Sequence, residues 1–573
     1  MTHTPFYQEF PVPPIRTLAR SVFILTMLTL LPIIASANPQ GGHVAAGSAT
    51  ITRPGPASVV VTQTSQKAII NWHSFSINKG EQTTFAQPNA RAIALNRVVG
   101  VDPSKIMGTL KANGQVWLVN PNGIVFGKTA RVDVGGLLAT TLNISNDDFM
   151  AGRYRFRNTN NTGAMVVNAG QITVNDAGLA ALVAPGVENS GIITARLGKI
   201  QLGSTSGFTI DLGGDGTFNF LLDKQMARQL VRPDGTTPTA AISNSGSLIA
   251  DGGAILLTAD TARSVVNNAI DMSGYALARG ASSQGGTIVL NGGDNGAVGV
   301  SGTLDASGRG GGVIKVLGGT RNGAVNVSGT LDASAPNGGN GGFIETSAAQ
   351  VHVADTANIT TAAPFGKTGT WLIDPHDFTI ASTAVGTITN GAPSGDVSGA
   401  TLNTALGSGN VTILSSEGST SSGSGNINVN DAVSWNKNTL TLTAANDINV
   451  NAIMTLSDTA SLALNPSTTN GGDAAVSPNS LNIVMSHSGG GSSVSSYTGR
   501  VDFSGTSSYS GTFSVYGVNV IANGAFPVTG WVVDGVLITS PIPLPTGGVE
   551  SFLGLNMAYS TGTWSGTATW GFL

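Results

Sequence analysis

The triplets Gly127-Lys128-Thr129 and Gly366-Lys367-Thr368 have the residue types that cradle and neutralise phosphate. A phosphate loop also needs a glycine five residues earlier and a helix directly after. Those earlier positions hold Asn122 and Thr361, and neither triplet opens a helix, so both are set aside. Asp374, His376 and Asp377 lie close together. On a strand, positions 374 and 376 would share a face, as a metal pair requires. Pro375 breaks that geometry, and a turn at the end of a structural unit is expected instead. Glycan lyases and hydrolases built on stacked strands need clustered Asp, Glu, Arg or Lys on one exposed face. Here acidic residues are few, and several sit beside turn residues, as in Asp251-Gly252 and Asp294-Asn295-Gly296. Turn chemistry accounts for those. The run Gly292-Gly293-Asp294 lacks the full calcium-binding nonapeptide. No catalytic residue, metal or cofactor is expected.

The composition points to elements rather than to active groups. Glycine supplies 78 of 573 residues, about twice the usual share of roughly 7%. Charged residues make up 10% of the chain and hydrophobic residues 40%. That profile excludes a charged disordered tail and suits many short strands joined by small-residue turns. The net charge is −4, and the 27 basic residues are scattered. A nucleic-acid surface needs clustered Lys and Arg and stacking aromatics, so no nucleic-acid partner is expected. The chain has no cysteine, which rules out disulfides and thiolate chemistry.

Residues 1–37 read as a secretory signal. Arg16 and Arg20 give a positive start, residues 21–34 (SVFILTMLTLLPII) an apolar run, and Ala35-Ser36-Ala37 a cleavage site. The run is shorter than the ~20 residues a membrane span needs. The mature chain is expected to begin at Asn38.

From Asn38 on, short apolar runs alternate with Gly, Asn, Asp and Ser, as at 58–62 (SVVVT), 115–119 (QVWLV) and 123–126 (GIVF). The best helix candidate is 223–230 (DKQMARQL). Residues 300–307 read VSGTLDAS, and 327–334 repeat it after 27 residues (300 to 327). Looser units place an Asn-x-Gly turn before a strand, at Asn168-Ala169-Gly170, Asn189-Ser190-Gly191 and Asn244-Ser245-Gly246. One such unit cannot bury its own apolar residues, but stacked coils bury them as continuous ladders, with roughly 20–30 residues per coil. A β-sandwich would explain alternating strands but not the repeated octapeptide. The expected fold is all-β, a right-handed parallel β-helix (β-solenoid) with a cap at its N-terminal end.

One region carries a more specific pattern. Residues 68–77 read AIINWHSFSI, 80–89 GEQTTFAQPN, 94–98 ALNRV, 106–110 IMGTL and 114–127 GQVWLVNPNGIVFG; farther on, 366–380 read GKTGTWLIDPHDFTI. In that order these segments resemble the secretion domain of two-partner secretion exoproteins, the filamentous haemagglutinin family. The signature stands intact as Asn120, Pro121, Asn122, Gly123 and Ile124. Some members carry a second motif, NPNL. Here its place is taken by Gln87, Pro88, Asn89 and Ala90, a departure that makes the chain resemble the subgroup of high-molecular-weight adhesins. Gln87, Pro88 and Asn89, with Asn96, form the candidate secondary motif. The resemblance implies export through a dedicated outer-membrane transporter, whose POTRA domains recognise the N-terminal domain in the periplasm and whose β-barrel passes the chain extended. Coils then fold one after another outside, since a solenoid makes mainly nearest-neighbour contacts. For Asn120 to Ile124 two roles stand side by side: a structural corner, since Asn-Pro and Asn-Gly both favour turns, and contact with the transporter.

The expected organisation is a signal at 1–37, the secretion domain with the first coils at 38–300, further repeats at 301–470, and a weakly patterned region at 471–573. Residues 400–469 still read as coils, with stacked Asn expected at 428, 430, 449 and 451. Residues 415–425 read as a loop, and Pro541 to Pro545 as an extended segment. No series of ~10-residue membrane strands is read in the tail. The expected function is a secreted or surface-exposed adhesin that binds a receptor on host or bacterial cells. The competing readings are a β-helical polysaccharide-degrading enzyme and a truncated toxin-delivery stem.

Overall fold

The computed structural model describes residues 38–572, apart from 160–161, 213–217, 225–228, 233, 260–267, 281–284, 383–394, 417–422, 458, 466–481, 487–496, 506–509, 516–517, 524–530, 534–535, 539–550 and 561–562. The signal-like segment 1–37 and the proline-set stretch 541–545 lie outside the described residues. From Asn38 the chain forms one compact unit.

A strand of three to six residues is too short to bury anything alone, so the chain stacks its strands coil on coil. Sheets of 18, 12 and 9 strands run through the body, and nearly all their pairings are parallel. Together they form a right-handed parallel β-helix, the hand that parallel crossovers take. Because side chains alternate across a strand, every second residue points inward and meets its equivalent one coil away. Ile200, Ile255, Ile288, Ile314, Ile344, Trp371, Val411, Leu440 and Leu462 form one such ladder in the largest sheet. Each is 1% exposed or less, and full burial of one such side chain contributes roughly 1.5–3 kcal/mol. The two octapeptides fall in register, Val300 on Val327 and Leu304 on Leu331, so their 27-residue spacing is one coil.

Two further ladders line the corner between the 9- and 12-strand sheets. Asn168 donates to Asn189 at 2.7 Å, Asn189 to Asn244 at 2.7 Å, and Asn244 to the Met272 sulfur at 3.3 Å. Two residues on, Gly170, Gly191, Gly246, Gly274, Gly302 and Gly329 stack so closely that a Cβ would collide with the carbonyl oxygen of the glycine one coil earlier. The Asn-x-Gly signal therefore encodes a buried amide stack and a close backbone approach. The expected outer asparagine stacks are present too, Asn449 on Asn428 at 2.9 Å and Asn451 on Asn430 at 2.8 Å.

The N-terminal end is capped by antiparallel pairing. His43–Ala46 lies against Lys67–Trp72, and Ala49–Gly55 against Ser58–Gln63. A second antiparallel group, Tyr154–Arg157, Gly207–Leu212 and Phe218–Lys224, joins the five-residue helix Asn146–Met150 outside the coils.

Two expectations are corrected. Asp223 and Lys224, the start of the supposed helix, end the strand Phe218–Lys224, because pairing with Gly207–Leu212 outweighs local propensity; residues 225–228 lie outside the described residues. Within the supposed coils after residue 400, Gly399–Leu406 is a helix. Ser398 caps it by accepting from the Thr401 N–H at 3.1 Å, and Leu402, Ala405 and Leu406 are buried. In the tail, Ser551–Ser560 and Thr563–Phe572 are ten-residue antiparallel strands, and the second also pairs with Tyr497–Gly505.

Candidate functional site

The strand Gln115–Val119 belongs to the largest sheet, and the strand Ile124–Phe126 to the 9-strand sheet. Four residues must turn the chain between them, and they are Asn120, Pro121, Asn122 and Gly123. The Gly123 N–H donates to the Asn120 carbonyl at 3.1 Å, closing a tight turn. Gly123 has φ +113°, which a side chain would strain. The Asn120 Oδ1 accepts from the Asn122 N–H at 3.0 Å, a side chain standing in for a further turn of backbone.

The corner also reaches backward and forward. Asn120, fully buried, donates through Nδ2 to the Asp102 carbonyl and to the Ser104 hydroxyl, both at 3.0 Å. Asn122 donates to the Gly100 carbonyl at 2.9 Å. The loop 99–103 of the preceding coil is thus pinned by both asparagines. It carries Val99 and Val101 into solvent, 62% and 85% exposed. Forward, the Pro121 carbonyl accepts from the Thr162 hydroxyl at 3.2 Å. Ile124 anchors the corner in the core. Of the five signature residues, Pro121 and Asn122 keep partial access to solvent, while Asn120, Gly123 and Ile124 are buried.

The residues of the secondary motif divide between two places. Gln87, 7% exposed, spans three coils: its amide donates to Gln63 Oε1 and the Ala92 carbonyl at 3.1 Å and to the Gln115 carbonyl at 3.2 Å, and its Oε1 accepts from the Gly114 N–H at 3.1 Å. Pro88 is exposed beside it. Asn89 caps the local turn, accepting from the Arg91 N–H at 2.9 Å and donating to Gln66 at 3.1 Å. Asn96 is elsewhere, sealed inside the helix, where it accepts from the Trp72 indole N–H at 3.0 Å. The structure therefore does not bring Asn96 together with the Gln87 corner.

Around this region the outer face of the largest sheet is apolar. Ile69, Leu95, Trp117, Leu138 and Ala181 stack outward in register. Phe149, Tyr154, Phe156, Phe208 and Ile210 cover them, forming a second core. The Trp117 ring meets Tyr154 edge-on at 4.8 Å, and Phe156 stacks on Phe208 at 4.7 Å. Sequence reasoning missed this layer. Its signal was available in the alternation at 154–157 (YRFR) and in the Ser145-x-x-Asp148 start of the helix.

The other candidate groups are structural. Asp374 ends the strand Thr370–Asp374, and Asp377 accepts from the Ser424 and Asn426 N–H groups at 2.9 Å, holding the returning loop. In the lysine triplets, Thr129 donates to the Met107 carbonyl at 2.7 Å and Thr368 to Asn438 at 2.9 Å, both at coil corners. Among the described residues no three His, Asp or Glu side chains come together as a metal set.

These residues build a capped parallel β-helix with a covered outer face. Residues 35–316 match the family model described as the TPS secretion domain. Two curated relatives are heme/hemopexin-binding proteins of Haemophilus influenzae. One, from strain Rd, is 32% identical over 224 residues, 38% of this chain and 24% of that protein. The other is 40% identical over 118 residues, 21% of this chain and 13% of that protein. This chain thus spans a quarter or less of the length of the curated relatives it matches. Among solved structures, the HMW1 secretion domain from Haemophilus influenzae aligns at 26% identity and TM-score 0.47, over 61% of this chain and 98% of that one. The filamentous hemagglutinin secretion domain aligns at 14% identity and TM-score 0.31, over 58% of this chain and all of that one. This chain thus carries a TPS secretion domain, the domain that marks two-partner secretion exoproteins. Such exoproteins cross the outer membrane to the cell surface or medium, and their secretion domains are recognised by partner transporters there.

Proposed function

We propose that this chain is a secreted or surface-exposed adhesin-type exoprotein. Its leader is removed after Ala37, and the POTRA domains of a dedicated transporter recognise its N-terminal domain through the corner at Asn120 to Ile124 and the loop that corner holds. The observation that carries this reading is the pinned loop. Two asparagine side chains fix residues 99–103 and leave Val99 and Val101 62% and 85% exposed, the most exposed valines among the described residues of the secretion domain. Exposed apolar side chains on a rigid support are the usual anchors of a protein contact. The buried asparagines act as positioning residues and the valines as the contact. The leader boundary has its own support. The compact unit begins at Asn38, which is fully buried and accepts from the Thr83 hydroxyl at 3.4 Å.

This division of labour can be tested by export. Cells carrying the cognate transporter would express wild type, Val99→Ser/Val101→Ser, Asn120→Ala and a control pair, Lys128→Ser/Thr129→Ser, at another exposed corner. Surface protein should fall at least about tenfold for the valine pair, as loss of one apolar anchor of ~1.4 kcal/mol implies, while the purified variant keeps its β-rich spectrum. Asn120→Ala should lose export and stability together. Normal surface levels for the valine pair would overturn the assignment of the contact.

A further inference from the structure

Charge is scarce in this chain, at 10% of residues, so the places where it gathers without neutralisation stand out. The strand Tyr154–Arg157 alternates buried Tyr154 and Phe156 with exposed Arg155 and Arg157. The aromatic rings go into the second core, so the strand's period of two sends both arginine side chains to the opposite face, from backbone positions about 7 Å apart. Asn143 lies alongside, its N–H and C=O bonded to those of Arg157 at 2.9 Å. Between the two segments an open pocket of about 460 Å³ is lined by Asn143, Ser145, Asp148, Arg155 and Arg157.

The cations around this pocket differ in how they are satisfied. Lys67 donates to the Phe149 and Met150 carbonyls at 3.3 and 3.2 Å. Arg153 is paired with Asp148 at 2.8 Å. That carboxylate is held below the usual range by the Ser145 hydroxyl and then by Arg153, and it is already engaged. Arg97 lies behind the pocket wall. It donates to Asn143 at 3.0 Å, Asn146 at 2.7 Å, Asn71 at 3.3 Å and the Ile144 carbonyl at 2.6 Å. All four acceptors are neutral, so this half-buried cation has its hydrogen bonds but no ion pair among the described residues, and burial lowers its pKa. Arg155 and Arg157 make no side-chain hydrogen bond or ion pair among the described residues; Arg155 acts on Asp148 only as a weaker charge, after Ser145 and Arg153. Within 143–157 the three arginines 153, 155 and 157 outnumber the two aspartates 147 and 148, and Arg97, bonded to Asn143 of the pocket lining, adds a further positive charge.

We propose that this pocket is an oxyanion-binding site, in which the guanidiniums of Arg155 and Arg157 clasp a phosphate, sulfate or carboxylate group of an anionic ligand. A guanidinium presents its N–H groups as a planar fork that matches the oxygen pair of such a group. Two forks on one strand face, opposite the Asn143 and Ser145 side chains, offer more donors than a single exposed arginine. The uncompensated Arg97 charge biases the pocket toward anions through a wall that partly excludes water. The site is separate from the corner at Asn120 and does not depend on the transporter reading.

The full mature chain would be titrated calorimetrically with inorganic phosphate at constant ionic strength, and its co-sedimentation measured with phosphatidylglycerol vesicles against phosphatidylcholine vesicles. The variants would be Arg155→Gln/Arg157→Gln and, as a control on later coils, Arg309→Gln/Arg321→Gln. Phosphate should bind, and the first pair should weaken it at least about tenfold, the loss expected for removing charge-assisted hydrogen bonds. The control pair should bind as wild type does. Binding to phosphate alone would identify a soluble anion as the ligand type, and additional capture by phosphatidylglycerol vesicles a headgroup at a membrane surface. Equal binding by wild type and Arg155→Gln/Arg157→Gln, or no binding of either probe, would overturn the assignment. Both arginines are exposed, so an unchanged thermal midpoint and circular dichroism spectrum should accompany the loss.

Discussion

The outer face of the largest sheet changes character along the stack. Over its first coils the outward column reads Ile69, Leu95, Trp117, Leu138 and Ala181, all buried under the antiparallel layer. The same column then passes through Gln201 to half-exposed Leu256 and Val289, and becomes charged at Lys315 and Glu345. The inward ladders are apolar in both stretches. One scaffold is thus read in two ways. The early coils are a β-helix with a second core on its back, and the later coils a bare solenoid. A sheet buried on both faces is held by more than its coil neighbours, and a bare one almost only by them.

Substitutions across the two stretches should expose that difference, beginning with the largest. Trp117→Ala empties the centre of the second core and should cost about 3–5 kcal/mol. Leu372→Ala, on the same column of the bare stretch, should cost about 1 kcal/mol. Chemical denaturation of the two variants checks the ratio, and equal losses would mean that the covering layer adds nothing. Gly302→Ala inserts a methyl group where the chain passes Gly274, and should destabilise by about 1–3 kcal/mol. Its neighbour Ser301→Ala should be nearly neutral, since Ser301 is exposed.

Smaller effects separate buried from exposed polar ladders. Asn189→Ala takes one partner each from the buried side chains of Asn168 (its Nδ2) and Asn244 (its Oδ1), at about 1–3 kcal/mol. Asn451→Ala removes an exposed step and should cost about 0.5 kcal/mol. Asp374 gives a pH signature on the bare stretch. Burial first, and then the neighbouring Glu345 carboxylate, push its carboxyl above the ordinary range, while His376 pulls it partly back. The folded chain therefore keeps this proton at pH values where the unfolded chain has lost it, and the stability contributed by Asp374 falls as pH rises through that window. Asp374→Asn should raise the thermal midpoint at neutral pH, with the gain shrinking as pH falls toward about 4. The smallest effect is expected from Lys315→Gln, which breaks a 2.8 Å pair with Glu345 that is 40% exposed on the lysine side; surface pairs of this kind contribute about 0–1 kcal/mol.

The coil repeat was legible because its constraint is local. Asn, Gly and an inward aliphatic residue recur at one-coil spacing, and each has a partner of its own kind. The corner at Asn120 was legible for the same reason, since Asn-Pro and Asn-Gly carry their turn chemistry with them. The covering layer was not, because Tyr154, Phe156 and Phe208 owe their burial to a sheet formed by residues 69–183, and nothing in their own neighbourhood announces that surface. The helix Gly399–Leu406 was hidden in a similar way. Its sequence, GATLNTAL, is small and weakly patterned, and it is fixed by Ser398 and by contacts to distant coils such as the Ser408 hydroxyl on the Ile359 carbonyl at 3.4 Å. Asn96 was grouped with Gln87 through the family pattern, and nothing in the sequence around it says that the Trp72 indole takes its side chain.

The most direct test of the central claim is the amount of full-length chain on the outside of cells with and without the cognate outer-membrane transporter, measured by surface-fraction immunoblotting alongside N-terminal sequencing. Export by two-partner secretion predicts β-rich protein beginning at Asn38 outside the cell only when the transporter is present. Equal surface protein in cells lacking the transporter would contradict it.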